Sequence, residues 1–171
     1  FDDHLRNRNS KALEMYFSFI LENWGYYKRF INSPYEWFYY GDNRKQIVSY
    51  FAFQIKENPW LPTTDGLKQP TEVFAPYKEI RRVLGGLVPY LKIDEESAKN
   101  VEEFLKLIGV HTTLDRGALI FALKNAKMFE VGEKLKRRIQ VIYSHLLEYI
   151  REEECISESV YILGEDEEFH P

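Results

Sequence analysis

The sequence predicts a mostly α fold of about six helices with a small β-hairpin or strand element, which is α+β by a strict count. Three observations predict it. Apolar residues recur at intervals of three or four along most of the chain. Stop signals at Ser33-Pro34, Asn58-Pro59, Gly85-Gly86 and Gly109 divide those runs. Between two helical stretches of different character lies Pro59 to Tyr77, which holds four of the seven prolines and an Asp65-Gly66 pair suited to a tight turn.

The helices follow in order. Residues 1–9 are polar and predict a frayed start. Ser10 can cap a helix whose apolar face is Leu13, Phe17, Ile20, Trp24, Tyr27 and Ile31. Gly25 interrupts that run at a cost of about 1 kcal/mol relative to Ala, so a kink or early end is expected there. Tyr35 to Tyr40 is short and aromatic, and reads equally as a strand or a helical turn. Gly41-Asp42-Asn43 predicts a turn and cap before a second helix with Ile47, Val48, Phe51, Ala52 and Ile55. Trp60, Leu61, Val73 and Phe74 anchor the two arms of the proline-rich stretch in a core, which makes it a rigid joint between two helical halves.

A short helix with Ile80, Val83 and Leu84 follows, closed by Gly85-Gly86, and Leu87 to Leu91 is extended because Val88 precedes a proline. Asp94 caps a helix over residues 95–108, with Glu95 and Glu96 at its positive end and Ala98, Val101, Leu105 and Ile108 inward. Thr112 or Thr113 caps the next helix, with Leu114, Ala118, Ala122 and Leu123 inward. Residues 133–153 form the strongest helix, with Leu135, Ile139, Ile142, Leu146 and Tyr149 or Ile150 on one stripe. Ser159 to Leu163 reads as a short strand before a mobile acidic tail. The expected organisation is an aromatic-rich helical subdomain over 1–58, a hairpin and extended joint over 59–91, a helical bundle over 92–156 and a strand with tail over 157–171.

Bulk properties narrow the function classes. A chain of 171 residues supports one ordinary core or two small subdomains. An aromatic content of 16% argues against disorder, and a net charge of −4 lacks the overall basic excess common in nucleic-acid binders. Cys155 stands alone, so neither a disulfide framework nor a cysteine metal site is available within the chain. No apolar run is long enough to span a membrane and no signal peptide is visible, so a cytoplasmic setting without membrane contact is expected. Phe1 in place of a start methionine suggests a piece of a longer protein.

Local chemistry is sparse. His4, His111, His145 and His170 lack ligand spacing, and Gly85-Gly86 has no following Gly-Lys-Ser/Thr to make a phosphate loop. No catalytic, cofactor or metal residue is assigned, and the chain is expected to be no enzyme by itself. Lys134, Lys136, Arg137 and Arg138 form the densest basic run, with Tyr143 beyond them for stacking. A solvated helix face explains that run as well as nucleic-acid contact does. Glu96 and Asn100 lie four residues apart on one helical face, but the glycine-rich segments a nucleotide site would need are absent from the sequence.

Trp60-Leu61-Pro62-Thr63-Thr64-Asp65-Gly66, followed by Gln69-Pro70-Thr71-Glu72-Val73-Phe74, resembles segments of the large sacsin-like and NO VEIN-like proteins, which carry an Hsp90-type ATPase domain. Leu84-Gly85-Gly86-Leu87-Val88-Pro89-Tyr90-Leu91 and Phe104-Leu105-Lys106-Leu107-Ile108-Gly109-Val110 resemble two later segments of those proteins in the same order. The resemblance covers about 58–110 and marks Trp60, Pro62, Gly66, Pro70, Phe74, Gly85, Pro89 and Gly109 as structural motif positions. It implies a segment C-terminal to an ATPase domain, with ATP and Mg held by the parent protein and none held here. The expected function is a helical interaction or coupling module whose partner is the parent ATPase domain or another protein chain. The alternative is a nucleic-acid-binding module of a prokaryotic defence or restriction-type ATPase, working through Lys134 to Arg138.

Overall fold

The computed structural model describes residues 9–32, 35–37, 45–47, 49–152, 162–164 and 169–170. Among them are eight α-helices and three two-stranded antiparallel ladders, so the fold is mostly α with a small β component. The chain divides into two units. The first comprises 1–76 and 89–112, and the second 77–88 and 113–171. This division cuts the chain differently from the four consecutive blocks suggested by the sequence. Pro59 to Pro76 lies wholly inside the first unit.

In the first unit, α1 (Ser10–Glu22) is capped by Asn9, not Ser10, because Asn9 Oδ1 accepts from the Ala12 N–H at 3.1 Å. Leu13, Phe17 and Ile20 are buried, as their spacing predicts. The break before α2 (Trp24–Asn32) falls at Asn23 and not at Gly25. Asn23 ends α1 by sending both its backbone N–H and its side-chain amide to the Phe19 carbonyl, while Gly25 continues as helix. Tyr35–Trp37 is β1, paired antiparallel with β2 (Lys45–Ile47), which resolves Tyr35 in favour of strand. Phe38 to Tyr40, the expected Gly41-Asp42-Asn43 turn and the Ser33-Pro34 stop lie outside the described residues.

Ile47 is therefore a strand residue, and the second predicted helix starts later, as α3 (Tyr50–Glu57). Ser49 Oγ supplies its cap by accepting from the Ala52 N–H at 3.1 Å. The hairpin follows, with β3 (Leu61–Thr63) and β4 (Gly66–Lys68) in the register Thr63↔Gly66. Gly66 takes the left-handed step after the turn at φ 97°, where a side chain is disfavoured. The segment 95–108 is two helices, α5 (Glu95–Asn100) and α6 (Glu102–Ile108), because Val101 leaves the helical region at φ −118° and ψ 19°.

In the second unit, α4 (Lys78–Leu84) and α7 (Arg116–Ala126) both pack against α8 (Glu133–Glu152). Asp115 caps α7 through a 2.8 Å bond from the Ala118 N–H. Thr112 is buried and Thr113 turns its hydroxyl toward Asp115 instead, so neither threonine is the cap. Ala118, Ala122, Leu123, Ile139, Ile142 and Leu146 are buried as predicted. The expected strand near residue 160 is observed as β5 (Ile162–Leu163), and Ser159 to Tyr161 lie outside the described residues. Phe169–His170, placed by the sequence in a mobile tail, pairs with it as β6.

Candidate functional site

The motif positions of residues 58–110 converge in the first unit as far as they belong to it. Four short extended segments lie side by side, joined by backbone hydrogen bonds. Thr64 N–H donates to Tyr90 O and Lys92 N–H to Pro62 O, which pairs β3 with residues 90–92. Phe74 N–H donates to Pro89 O and Leu91 N–H to Phe74 O, which adds Phe74 as a parallel neighbour. His111 N–H donates to Val73 O and Ala75 N–H to His111 O, which extends the array once more. Pro62 and Pro89 serve these ladders only as acceptors, since proline has no N–H.

Side chains lock the array. Trp60 is fully buried, and its indole N–H donates to the Ile55 carbonyl at 2.7 Å, tying α3 to the start of the hairpin. Phe17 of α1 meets the Trp60 ring edge-on at 5.8 Å. Phe74 is fully buried and stacks on His111 at 4.5 Å, while His111 Nε2 lies 3.1 Å from the Thr71 carbonyl. Pro70 opens a 3-10 turn over residues 70–72 and is buried. Gly109 ends α6 at φ 99°, and a Cβ there would stand 3.2 Å from Thr71 Cγ2. Each of these motif residues has a packing or backbone task.

A second feature of this unit lies on its surface. Met15, Phe19, Tyr26, Tyr50 and Phe53 are large, apolar and more than half exposed or close to it, with Met15 at 67% and Phe19 at 50%. The Phe19, Tyr27 and Phe51 rings form a continuous chain, with centroids 6.0 and 5.6 Å apart, across α1, α2 and α3. Tyr26 adds to it at 5.4 Å from Tyr27, with the Arg29 guanidinium 4.2 Å above its ring. A shallow cleft of about 400 Å³ opens beside Ala12, Met15, Tyr16 and Phe19. The sequence offered one hint. Met15 and Phe19 fall off the buried stripe of α1, yet they are apolar.

In the second unit the basic run is split by the helix. Lys134, Arg137 and Arg138 fall on one side of α8, whereas Lys136 lies across the buried stripe and approaches Glu133 at 3.9 Å. Arg138 is occupied. Its Nη1 donates to the carbonyls of Arg82 and Val83 at the end of α4, the Val83 bond measuring 3.2 Å. Those carbonyls belong to a last helical turn, where a cation is favoured. Lys134 and Arg137 are exposed. The same contact brings Arg81 and Arg82, the exposed basic residues of the last turn of α4, to the start of α8. Sequence spacing had no means of finding this pair, which is brought in by tertiary packing.

Tyr143, the residue expected to serve in stacking, accepts a hydrogen bond from the Leu163 N–H at 2.8 Å and holds β5 against α8. Burial raises its phenol above the usual value of 10.0. Phe129 is 46% exposed in the α7–α8 loop, beside Met128 at 85%. Among the described residues no group of three or more His, Cys, Asp or Glu is placed to hold a metal. His145 lies near Glu148 at 3.8 Å on the flank of α8. No described helix is long and apolar enough to cross a membrane. No protein family, no curated protein and no solved structure matches this chain.

Proposed function

We propose that this chain is a helical interaction or coupling module, without chemistry of its own, that serves a large ATPase of the sacsin-like or NO VEIN-like kind. The observation that carries this reading is the exposed aromatic surface of α1, α2 and α3. Soluble proteins rarely leave large contiguous apolar patches facing water, and such patches mark docking sites. The rings are held in fixed mutual contact, so little ordering entropy opposes docking. The motif residues of the first unit support the same reading in a different way, because their tasks are to build that unit's own scaffold.

The partner in this proposal is the Hsp90-type ATPase domain of the parent protein, and ATP and Mg belong to that domain. Calorimetric titration of Mg-ATP into the chain is expected to give no saturable heat, and binding at micromolar affinity would sink the proposal. An Asp-x-Gly-x-Gly segment is expected upstream in the same reading frame, and a frame without one removes the ATPase parent. With the ATPase domain supplied in trans, Met15→Ser combined with Phe19→Ser should weaken association at least tenfold. Unchanged affinity would show that docking does not use this surface.

A further inference from the structure

We infer that the end of the second unit built from α4, the α7–α8 loop and the first turns of α8 is a binding surface for single-stranded nucleic acid. Residues 124–138 hold six Lys or Arg against two carboxylates in a chain whose net charge is −4, and four of the six, Lys124, Lys127, Lys134 and Arg137, are exposed. Folding concentrates that excess further. The Arg138 bond to the Arg82 carbonyl brings the exposed Arg81 and Arg82 of α4 to the same end as exposed Lys134 and Arg137. The Lys124 and Lys127 side chains are exposed at the close of α7, on the other side of the loop.

Phosphate oxygens are the anions such a spread of cations fits, because each guanidinium can grip one phosphate through paired N–H groups. Phe129 supplies an exposed ring beside the cations, which suits an unpaired base more than a duplex, whose bases are stacked away. An anionic membrane fits less well. Glu130 directly follows Phe129 and is exposed, so a flat anionic surface reached by the ring would meet this carboxylate head-on, whereas a flexible strand can route its phosphates around it. The cations also run along two helices instead of ringing the loop. This surface is independent of the aromatic surface of the first unit, so the failure of either leaves the other standing.

The experiment is fluorescence anisotropy of a labelled mixed-sequence oligodeoxynucleotide of about 20 nucleotides, longer than a typical single-module site. The intact chain is expected to bind it with an affinity that falls linearly in log–log form as salt rises, and to prefer it to its own duplex. Arg82→Glu with Arg137→Glu should reduce affinity at least tenfold and Phe129→Ala at least about fivefold, whereas Lys11→Glu in the first unit should change it less than twofold. Circular dichroism establishes that each variant is folded. Absence of binding, equal loss in Lys11→Glu, or equal binding of the duplex overturns the inference. So does binding confined to phosphatidylcholine–phosphatidylserine vesicles.

Discussion

The Arg138 guanidinium fills the space that a side chain at Gly85 would need. Gly85 closes α4 at φ 58°, and a Cβ built on it would lie 2.8 Å from Arg138 Cζ. The guanidinium can reach the Arg82 and Val83 carbonyls only because residue 85 has no side chain. Gly85→Ala meets two penalties at once, a disfavoured backbone and a displaced cap. It is expected to destabilise the chain by about 2–3 kcal/mol, and Arg138→Met by about 1–2 kcal/mol. Urea midpoints with unchanged slopes check both values. Near-additive losses in the double variant would contradict the shared mechanism, since neighbours that act through one contact do not add.

Gly109 allows its two costs to be separated. Gly109→Ala must carry a positive φ and press on Thr71 Cγ2 at 3.2 Å, for a loss of about 1–2 kcal/mol. Thr71→Ser removes the methyl and should recover only the contact part. Full recovery by Thr71→Ser in thermal melts would show that the backbone conformation costs nothing.

Trp60 tests the tie between α3 and the hairpin. Trp60→Phe keeps an aromatic body but leaves the buried Ile55 carbonyl without its 2.7 Å partner, with an expected loss of about 1–3 kcal/mol. Trp60→Ala adds a cavity and should cost about 3–5 kcal/mol. By contrast Phe19→Ser, half-exposed and packed edge-on against Tyr27, should cost about 0.5–1.5 kcal/mol. Chemical denaturation of all three orders them, and a large loss in Phe19→Ser would make that ring part of the core.

Tyr143 sets a pH dependence with a definite sign. Its phenol is raised by burial, so the folded chain keeps the proton at a pH where the unfolded chain releases it. The associated stability is fully present below the unfolded value near 10 and is lost as pH rises through the folded value. The melting temperature of the native chain should therefore fall more steeply above pH 10 than that of Tyr143→Phe. Parallel curves would remove Tyr143 as the cause.

The helices were legible where local chemistry decides. The stripes Leu13, Phe17, Ile20 and Ile139, Ile142, Leu146 are buried, and Asp94 caps α5 by accepting from Ser97. The Ser97 hydroxyl and, after it, that backbone bond hold its carboxyl below the usual value. Boundaries failed where two residues could do the same task, as with Asn9 against Ser10 and Asp115 against Thr112 and Thr113. The pairing of Phe74 with Tyr90 and His111 was not legible at all, because parallel ladders join distant segments with no local signature. The basic run was visible in sequence, but its division into a capping Arg138 and an outward Lys134 and Arg137 depends on what packs against α8.

The parallel bridge from Phe74 to His111 also dictates an order of events during synthesis. Val73 and Ala75 leave the ribosome long before the residue that pairs with both of them. Until His111 emerges, the growing chain carries an open β edge next to the buried Phe74, the kind of edge that recruits neighbouring chains. The interval between the exposure of Ala75 and that of His111 therefore bears on yield, and lengthening it should raise the aggregated fraction without altering the final fold.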